Sequence, residues 1–262
     1  MKIVSDNLQI THPEIDRAVR EMDPAPVQEL ARRCAAAGAD FIDINSGPLA
    51  REPKTKMTFL VEAVEAAVDL PILLDTTNPK ALEAGLRAAT RPVIINGFSL
   101  EPVKLEKILP LAAKYDVDII GYLLYPNSHV PPDEDERLAV AVSLFAEYQA
   151  AGLDPARLII DPVIAPVMWE NGSFQDMEIL SVIRTLPDLL GFPVRTIAGI
   201  SNLTTGQGPR DKKLLLERAY LPMLAAAGLS MALMNVFHAE SVDVVRACRA
   251  LSGERIFTWA GW

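Results

Sequence analysis

Cysteine and histidine are scarce in this chain, and their scarcity excludes several kinds of site. Among 262 residues there are two cysteines, Cys34 and Cys248, and three histidines, His12, His129 and His238. Disulfide scaffolds need several cysteines, and zinc sites need cysteine or histidine ligands at short spacings that do not occur here. The sequence therefore predicts neither a disulfide framework nor a cysteine-rich zinc site.

Long apolar runs and an excess of positive charge are also missing. The apolar stretches are much shorter than the roughly 20 residues that cross a bilayer. Polar Ser5, Asp6 and Asn7 follow the first four residues directly, which leaves no apolar signal-peptide core. Acidic residues outnumber basic ones by 34 to 25, and the net charge of −9 at pH 7 disfavours binding to nucleic acid. We therefore expect a cytoplasmic protein that binds neither nucleic acid nor membrane.

Short apolar runs rich in β-branched residues alternate along the chain with longer segments of helical period. Each run is about 4–6 residues long and mostly apolar, as expected for strands that are covered on both faces. The first helical segment is predicted at residues 26–37, and Pro110 is predicted to kink or split another at residues 103–115. The predicted strands cover residues 2–5, 41–45, 72–75, 93–96, 119–124, 158–161, 194–199 and 231–235.

Eight such strand–helix repeats in one uninterrupted domain, residues 1–262, fit a (β/α)8 TIM barrel. The length agrees, because such barrels usually have about 250 residues. A doubly wound open sheet is the competing architecture, and it would carry a glycine-rich turn after its first strand. The turn predicted here is Ser5-Asp6-Asn7-Leu8, which contains no glycine. We therefore predict a single-domain α/β barrel.

Polar residues recur at the carboxyl ends of the predicted strands, where a barrel places its chemistry. A buried polar group without a partner costs about 1–3 kcal/mol. Any one of these residues is more readily explained by a turn or a helix cap than by a ligand contact, so only the joint pattern argues for a polar ligand. The strand-end residues are Asp43, Asn45, Asp75, Asn96, Asp161, Ser201, Asn202 and Asn235.

The other residue types leave two ligand classes open. Lysine is missing from the predicted strands except for Lys2, so Schiff-base chemistry has no obvious nucleophile, and no Gly-x-Ser-x-Gly elbow occurs. Asp43, Asp75 and Asp161 could hold a magnesium ion, because hard cations take carboxylate oxygens. They could equally bind a heterocycle that presents a row of N–H donors, which carboxylates accept.

Five segments at the strand ends carry a family resemblance when they are taken in order. They are Asp43-Ile44-Asn45, Leu74-Asp75-Thr76-Thr77-Asn78, Ile95-Asn96, Ile160-Asp161-Pro162 and Gly199-Ile200-Ser201-Asn202. Together they resemble the pterin-binding barrels, and most closely the methyltetrahydrofolate:corrinoid methyltransferases, including those that serve corrinoid/iron–sulfur proteins. The similarity runs from about Asp23 to the C-terminus. Dihydropteroate synthase and the pterin-binding domain of cobalamin-dependent methionine synthase resemble the chain more distantly.

The resemblance implies a barrel whose mouth binds the pterin ring of methyltetrahydrofolate, the substrate. It implies transfer of the N5-methyl group between this folate and the cobalt of a corrinoid, by SN2 attack of Co(I) with hydrogen-bond or proton assistance at N5. Asn202, which would approach N5, and Asp161 are the catalytic candidates. The candidate substrate contacts are Asp75, Asn96, Asp161, Ser201, Asn202, Asp43, Asn45 and Arg210.

The corrinoid, or cobalamin, is expected on a separate protein, because no Asp-x-His-x-x-Gly motif supplies a cobalt-ligating histidine here. The expected partner is a corrinoid protein such as a corrinoid/iron–sulfur protein. The resemblance also implies a homodimer. The apolar segment at residues 256–262 is expected either to make a subunit contact or to fold onto its own barrel. No tightly bound metal is expected.

Three other functions stay open at this point. Dihydropteroate synthase shares the pterin site, but Ser201-Asn202-Leu203 and Met234-Asn235-Val236 replace its Ser-Arg-Lys and Arg-x-His segments, whose cations would bind a diphosphate and a benzoate. A non-catalytic pterin-binding module is favoured by the first-strand region, Ser5-Asp6-Asn7-Leu8-Gln9, where the family usually has Gly-Glu-Arg/Lys-Ile-Asn. A magnesium-dependent barrel lyase is the third.

Overall fold

Eight parallel strands close into a barrel in chain order, and one or two helices follow each strand. In this computed structural model the chain is described over residues 1–253. The strands are β1 (Lys2–Gln9), β2 (Phe41–Asn45), β3 (Ile72–Asp75), β4 (Val93–Phe98), β5 (Asp118–Tyr122), β6 (Leu158–Asp161), β7 (Arg195–Gly199) and β8 (Met231–Met234). The helices are α1 (Pro13–Glu21), α2 (Pro24–Ala37), α3 (Pro53–Glu65), α4 (Pro79–Ala88), α5 (Pro102–Lys107), α6 (Leu109–Tyr115), α7 (Glu134–Ala150), α8 (Gly172–Leu190), α9 (Arg210–Ala227) and α10 (Ala239–Leu251). The predicted (β/α)8 TIM barrel is confirmed, and the segment at residues 256–262 lies outside the described residues.

Apolar side chains cover the strands on both faces. Strand residues such as Ile42, Ile72 and Ile119 pack outward into the layer under the helices. Because both faces are buried, the strands are nearly continuous apolar runs, which is the pattern that revealed them in the sequence. One residue from each of seven strands packs inside the barrel, namely Val4, Leu73, Ile94, Ile120, Ile159, Ile197 and Met231.

The first strand differs from its prediction, because Ser5, Asp6 and Asn7 lie within β1 and not in a turn. The register of β1 against β2 shifts between Ser5 and Leu8, where β1 contains one extra residue and forms a bulge. Asn7 stabilises this bulge, since its Nδ2 donates to Asn235 Oδ1 at 2.8 Å and its Oδ1 accepts the Val236 N–H at 3.0 Å. The predicted turn is therefore wrong. The side chain of Asn7, a residue type typical of turns, is hydrogen-bonded to Asn235 and Val236, which are distant in the sequence.

Two helical regions also depart from the sequence prediction. α1 has no counterpart among the predicted helices, which began at residue 26. The segment at residues 103–115 is split into α5 and α6, as Pro110 predicted, and Pro110 stands in the first turn of α6, where its missing N–H costs little. Within residues 1–253, none of the helices combines the length and the apolar character that a bilayer crossing requires.

Replacing Asn7 by alanine is expected to lower the free energy of unfolding by about 1–3 kcal/mol, because the buried N–H of Val236 then loses its partner. Urea denaturation of the purified protein measures this loss. Asn127→Ala, in an exposed loop, is the matched control and should change stability by no more than about 0.5 kcal/mol. Equal losses in the two variants would contradict the role given to Asn7.

Candidate functional site

A cavity of about 350 Å³ opens at the carboxyl ends of strands β3 to β6, beside the turn that follows β7. We call it the main cavity. Asp75, Asn96, Asp161 and Asn202, which the sequence analysis placed at one mouth, all line it. Strand register explains the convergence, because Asp75 lies opposite Asn96 across β3 and β4, and Tyr122 lies opposite Asp161 across β5 and β6.

Asn96 is fixed in the main cavity by partners on both sides of its carboxamide. Its Nδ2 donates to Asp43 Oδ1 over 3.4 Å, and its Oδ1 accepts the Tyr122 hydroxyl. Asp43 is 2% exposed, so it lies behind Asn96 and away from solvent. The predicted candidate Asp43 therefore orients Asn96, and it is not among the described residues that line the cavity.

Asp75 is oriented by Asn45 in a similar way. Asn45 Nδ2 donates to Asp75 Oδ2 at 2.6 Å. Burial raises the pKa of Asp75 to about 6, although the Lys104 ammonium and the Asn45 hydrogen bond lower it in part. A ligand with N–H donors would favour the ionised form of this carboxyl, because carboxylates accept such bonds.

Asp161 is a second carboxyl of the main cavity whose pKa is raised. Burial raises its pKa to about 7, against the hydrogen bond that its Oδ1 accepts from the Val163 N–H at 2.7 Å. Burial, and then the charge of Asp75, also raises the pKa of Asp43 well above its usual range. The site therefore contains carboxyl groups that can hold or release a proton near neutral pH.

Ser201 and Arg210 lie outside the main cavity. Ser201 lines a second cavity of about 230 Å³, between β1, β8 and the 3-10 turn Ile200–Thr204. Arg210 begins α9, and its Nη2 lies 3.4 Å from Nε2 of His238. The structure thus brings Asp75, Asn96, Asp161 and Asn202 together, and places these two candidates beside them.

Sequence reasoning missed Tyr122 and Lys104, both of which line the main cavity. Tyr122 lies inside the strand predicted at residues 119–124, so the sequence pattern did not mark it as a strand-end residue, whereas β5 ends at Tyr122 in the structure. Burial raises the pKa of Tyr122 well above its usual range, so the hydroxyl stays a donor. Lys104 reaches the site from α5, with its Nζ 5.7 Å from the centre of the Tyr122 ring. Lys104 lies on a helix, whereas the candidate residues were predicted at strand ends.

Comparison with known sequences identifies relatives over nearly the whole chain. The family described as "Pterin binding enzyme" matches residues 13–235. The chain is 24% identical to a methylcorrinoid:tetrahydrofolate methyltransferase of Eubacterium limosum, over 97% of this chain and 92% of that protein. It is 22% identical to the methionine synthase of Mycobacterium tuberculosis over 79% of this chain. The matched region spans only 18% of that longer protein.

Solved structures of dihydropteroate synthases share the fold. The enzyme of Coxiella burnetii in complex with pteroic acid superimposes with a TM-score of 0.64 at 15% identity, over 97% of this chain and 94% of that one. The enzyme of Xanthomonas albilineans with 4-aminobenzoic acid gives a TM-score of 0.66 at 21% identity, over 96% and 93% of the two chains. At these identities the similarity shows the fold alone.

Replacing Asp161 by asparagine is expected to flatten the pH dependence of stability. Because folding raises the pKa of Asp161 from 3.8 to about 7, its contribution to stability is complete at low pH and is lost as the pH rises through about 7. Each pKa unit corresponds to about 1.4 kcal/mol. In Asp161→Asn the loss of stability between about pH 5 and about pH 8 should therefore be smaller.

Chemical denaturation across this pH range measures the effect. Asp188→Asn, at an exposed position on α8, is the matched control and should keep the profile of the unsubstituted protein. An Asp161→Asn protein whose stability falls as steeply as the control would show that this carboxyl does not keep its proton on folding.

Proposed function

Since the chain belongs to the pterin-binding enzyme family, we propose that it transfers the N5-methyl group between methyltetrahydrofolate and the cobalt of a corrinoid carried by a partner protein. One observation carries the proposal: Asp75, Asn96, Asp161 and Asn202 line the main cavity together. A pterin presents an exocyclic amine and ring N–H donors along one edge. Two carboxylates and a carboxamide complement that edge.

The groups around the cavity fix the pterin-binding side chains before the substrate arrives. Asn45 holds Asp75, while Asp43 and Tyr122 hold Asn96 between them. Side chains oriented in this way spend little entropy on binding, so they can position the reacting N5 atom accurately. The apolar side chains of Val103, Ile108 and Leu124 line the same cavity and suit the faces of a bicyclic ring.

The chemical step is an SN2 displacement. The electron pair of Co(I) forms the cobalt–methyl bond while the N5–methyl bond breaks, and N5 keeps the bonding pair and a proton. We assign to Asn202 the hydrogen bond to N5, which a carboxamide can make whether or not N5 is protonated. A carboxamide supplies no proton itself, so the proton comes from solvent through a network that includes Asp161, whose pKa of about 7 suits this transfer.

A corrinoid protein, such as a corrinoid/iron–sulfur protein, is the proposed partner, since its cobalt has to reach the mouth of the main cavity. The name of the Eubacterium limosum relative makes the methylcorrinoid the methyl donor. Methyl transfer from the folate to cobalt and transfer from cobalt to the folate share one transition state. The same residues therefore serve both directions of the proposed reaction. The homodimer, the cytoplasmic location and the lack of a tightly bound metal stay predictions.

Dihydropteroate synthase is the second candidate, because solved enzymes of that type share the fold. Its diphosphate substrate needs cations, and Lys104 is the one cation among the described residues that line the main cavity. The carboxylates of Asp6 and Glu217 line the second cavity and would repel a diphosphate there. The charges therefore favour methyl transfer. For the magnesium-dependent alternative, no group of three or more metal-ligating side chains within residues 1–253 is arranged to hold an ion.

Mixing the protein with methyltetrahydrofolate and Co(I) cobalamin should convert Co(I) absorbance to that of methyl-Co(III), which a stopped-flow spectrometer follows. Asn202→Ala should slow this transfer by about 10–100-fold and change methyltetrahydrofolate affinity little, because the proposed hydrogen bond matters most as charge develops at N5. Asn127→Ala, at an exposed position that lines neither the main cavity nor the second one, serves as the control.

Three results would overturn these assignments. Folate binding without any transfer would favour a non-catalytic pterin-binding module. Full transfer by Asn202→Ala would remove the role given to Asn202. Formation of dihydropteroate from a pterin diphosphate and p-aminobenzoate would favour the second candidate instead.

Replacing Asp75 by asparagine should weaken methyltetrahydrofolate binding by about 10–100-fold, because an ionised acceptor for the pterin N–H donors is lost. For the same reason the unsubstituted protein should bind more weakly as the pH falls through about 6, where Asp75 takes up a proton. Titration calorimetry measures both effects. The exposed Asp69→Asn variant is the control, and an equal loss of affinity in it would refute the assignment.

A further inference from the structure

The second cavity is a separate polar site that adjoins the main cavity. It lies at the carboxyl ends of β1, β7 and β8 and has a volume of about 230 Å³. Ser201 lines the second cavity, and the next residue, Asn202, lines the main one, so the two cavities share the turn Ile200–Thr204. A group bound in the second cavity would therefore lie next to the residue that we assign to N5.

Ser241 lines this cavity, and its hydroxyl is buried. It stands in the first turn of α10 and is 3% exposed, and its Oγ has no hydrogen-bond partner among the described residues. Buried hydroxyls in folded proteins nearly always have a partner. A ligand atom that accepts or donates a hydrogen bond here would satisfy Ser241, which is an observation independent of the charged residues nearby.

The charged residues around the second cavity favour a ligand with N–H donors. Asp6 and Glu217 both line it, and their carboxylates accept such donors. Burial, and then the charge of Glu217, raises the pKa of Asp6 to about 6, so the Glu217 carboxylate repels that of Asp6. A donor placed between the two would relieve this repulsion.

The neighbouring cations favour a neutral donor over a full positive charge. Burial, followed by the charges of Arg210 and Arg218, lowers the pKa of His238 at the edge of this cavity. These two guanidinium groups therefore act on the same region and offset the carboxylates of Asp6 and Glu217. A neutral group that both donates and accepts hydrogen bonds matches this balance better than an ammonium ion.

We infer that the second cavity binds a primary carboxamide and, resting on the function proposed above, that this carboxamide belongs to the rim of the corrin ring that exchanges the methyl group. A primary carboxamide offers two N–H donors, which suit the carboxylates of Asp6 and Glu217. Its carbonyl oxygen suits the hydroxyl of Ser241. The second cavity is thus a specificity site that orients the corrin ring beside the folate.

Titration calorimetry with dicyanocobinamide, whose rim carries primary carboxamides, tests this inference. Ser241→Ala and Glu217→Gln should each weaken its binding by about tenfold, because the first removes a hydrogen bond to the carboxamide and the second replaces an ionised acceptor with a neutral one. Cobyrinic acid, in which carboxylates replace those carboxamides, should bind the unsubstituted protein at least tenfold more weakly than dicyanocobinamide, because a carboxylate has no N–H to donate to Asp6 and Glu217. Glu106→Gln, exposed on α5, is the matched control and should bind as the unsubstituted protein does.

The alternatives give different results. Binding of propionamide as tight as that of dicyanocobinamide would make a free amide the ligand and overturn the corrin assignment. Equal binding of cobinamide and cobyrinic acid, or unchanged affinity in both variants, would overturn the carboxamide site itself. Thermal unfolding of each variant checks that it is folded, and Ser241→Ala and Glu217→Gln act as independent probes of the same cavity.

Methyltetrahydrofolate binding and methyl transfer, measured on the same proteins, separate this inference from the proposed function. Loss of cobinamide affinity with unchanged folate affinity supports the specificity site. Transfer by the unsubstituted protein with no effect of either variant on cobinamide binding overturns the inference and leaves the function standing. Carboxamide-selective binding without any transfer would instead overturn the function and leave the carboxamide site.

Discussion

Burial of carboxyl groups at the carboxyl ends of the strands is the constraint on which the whole barrel mouth depends. Asp43 is 2% exposed and Asp161 is 8% exposed. A carboxyl so placed has to accept hydrogen bonds, keep its proton, or do both. Asn96 donates to Asp43, and the N–H of Val163 donates to Asp161. The same burial that forces these bonds raises the carboxyl pKa values, so orientation and proton affinity have one cause.

Closure of the barrel turns these local arrangements into one site. β1 pairs with β8, and the carboxamides of Asn7 and Asn235, 228 residues apart in the sequence, are hydrogen-bonded across that seam. The bulge in β1 places Asp6 at the second cavity, which β1 shares with β8 and the turn after β7. β1, whose residues Ser5, Asp6 and Asn7 were predicted to form a turn, thus supplies part of the barrel mouth.

Two adjoining cavities suit a reaction in which two large molecules exchange one methyl group. In our proposal the main cavity holds the folate and the second cavity orients the corrin ring, with Asn202 and Ser201 on either side of the boundary. Catalysis of this kind depends on position and on the stabilisation of charge at N5. In the same proposal, the raised pKa of Asp161 adds a proton reservoir to that arrangement.

The sequence by itself determined the barrel and the four residues that meet at its main cavity. Buried parallel strands are continuous apolar runs, so β2, β3 and β6 have their predicted bounds, and their carboxyl ends had to share one mouth. Only the tertiary structure decided that Ser5–Asn7 extend β1, that Tyr122 and Lys104 reach the main cavity, and that Ser201 and Arg210 lie beside it. These features depend on strand register, on helix placement and on hydrogen bonds between distant residues, none of which a local pattern of residue types contains.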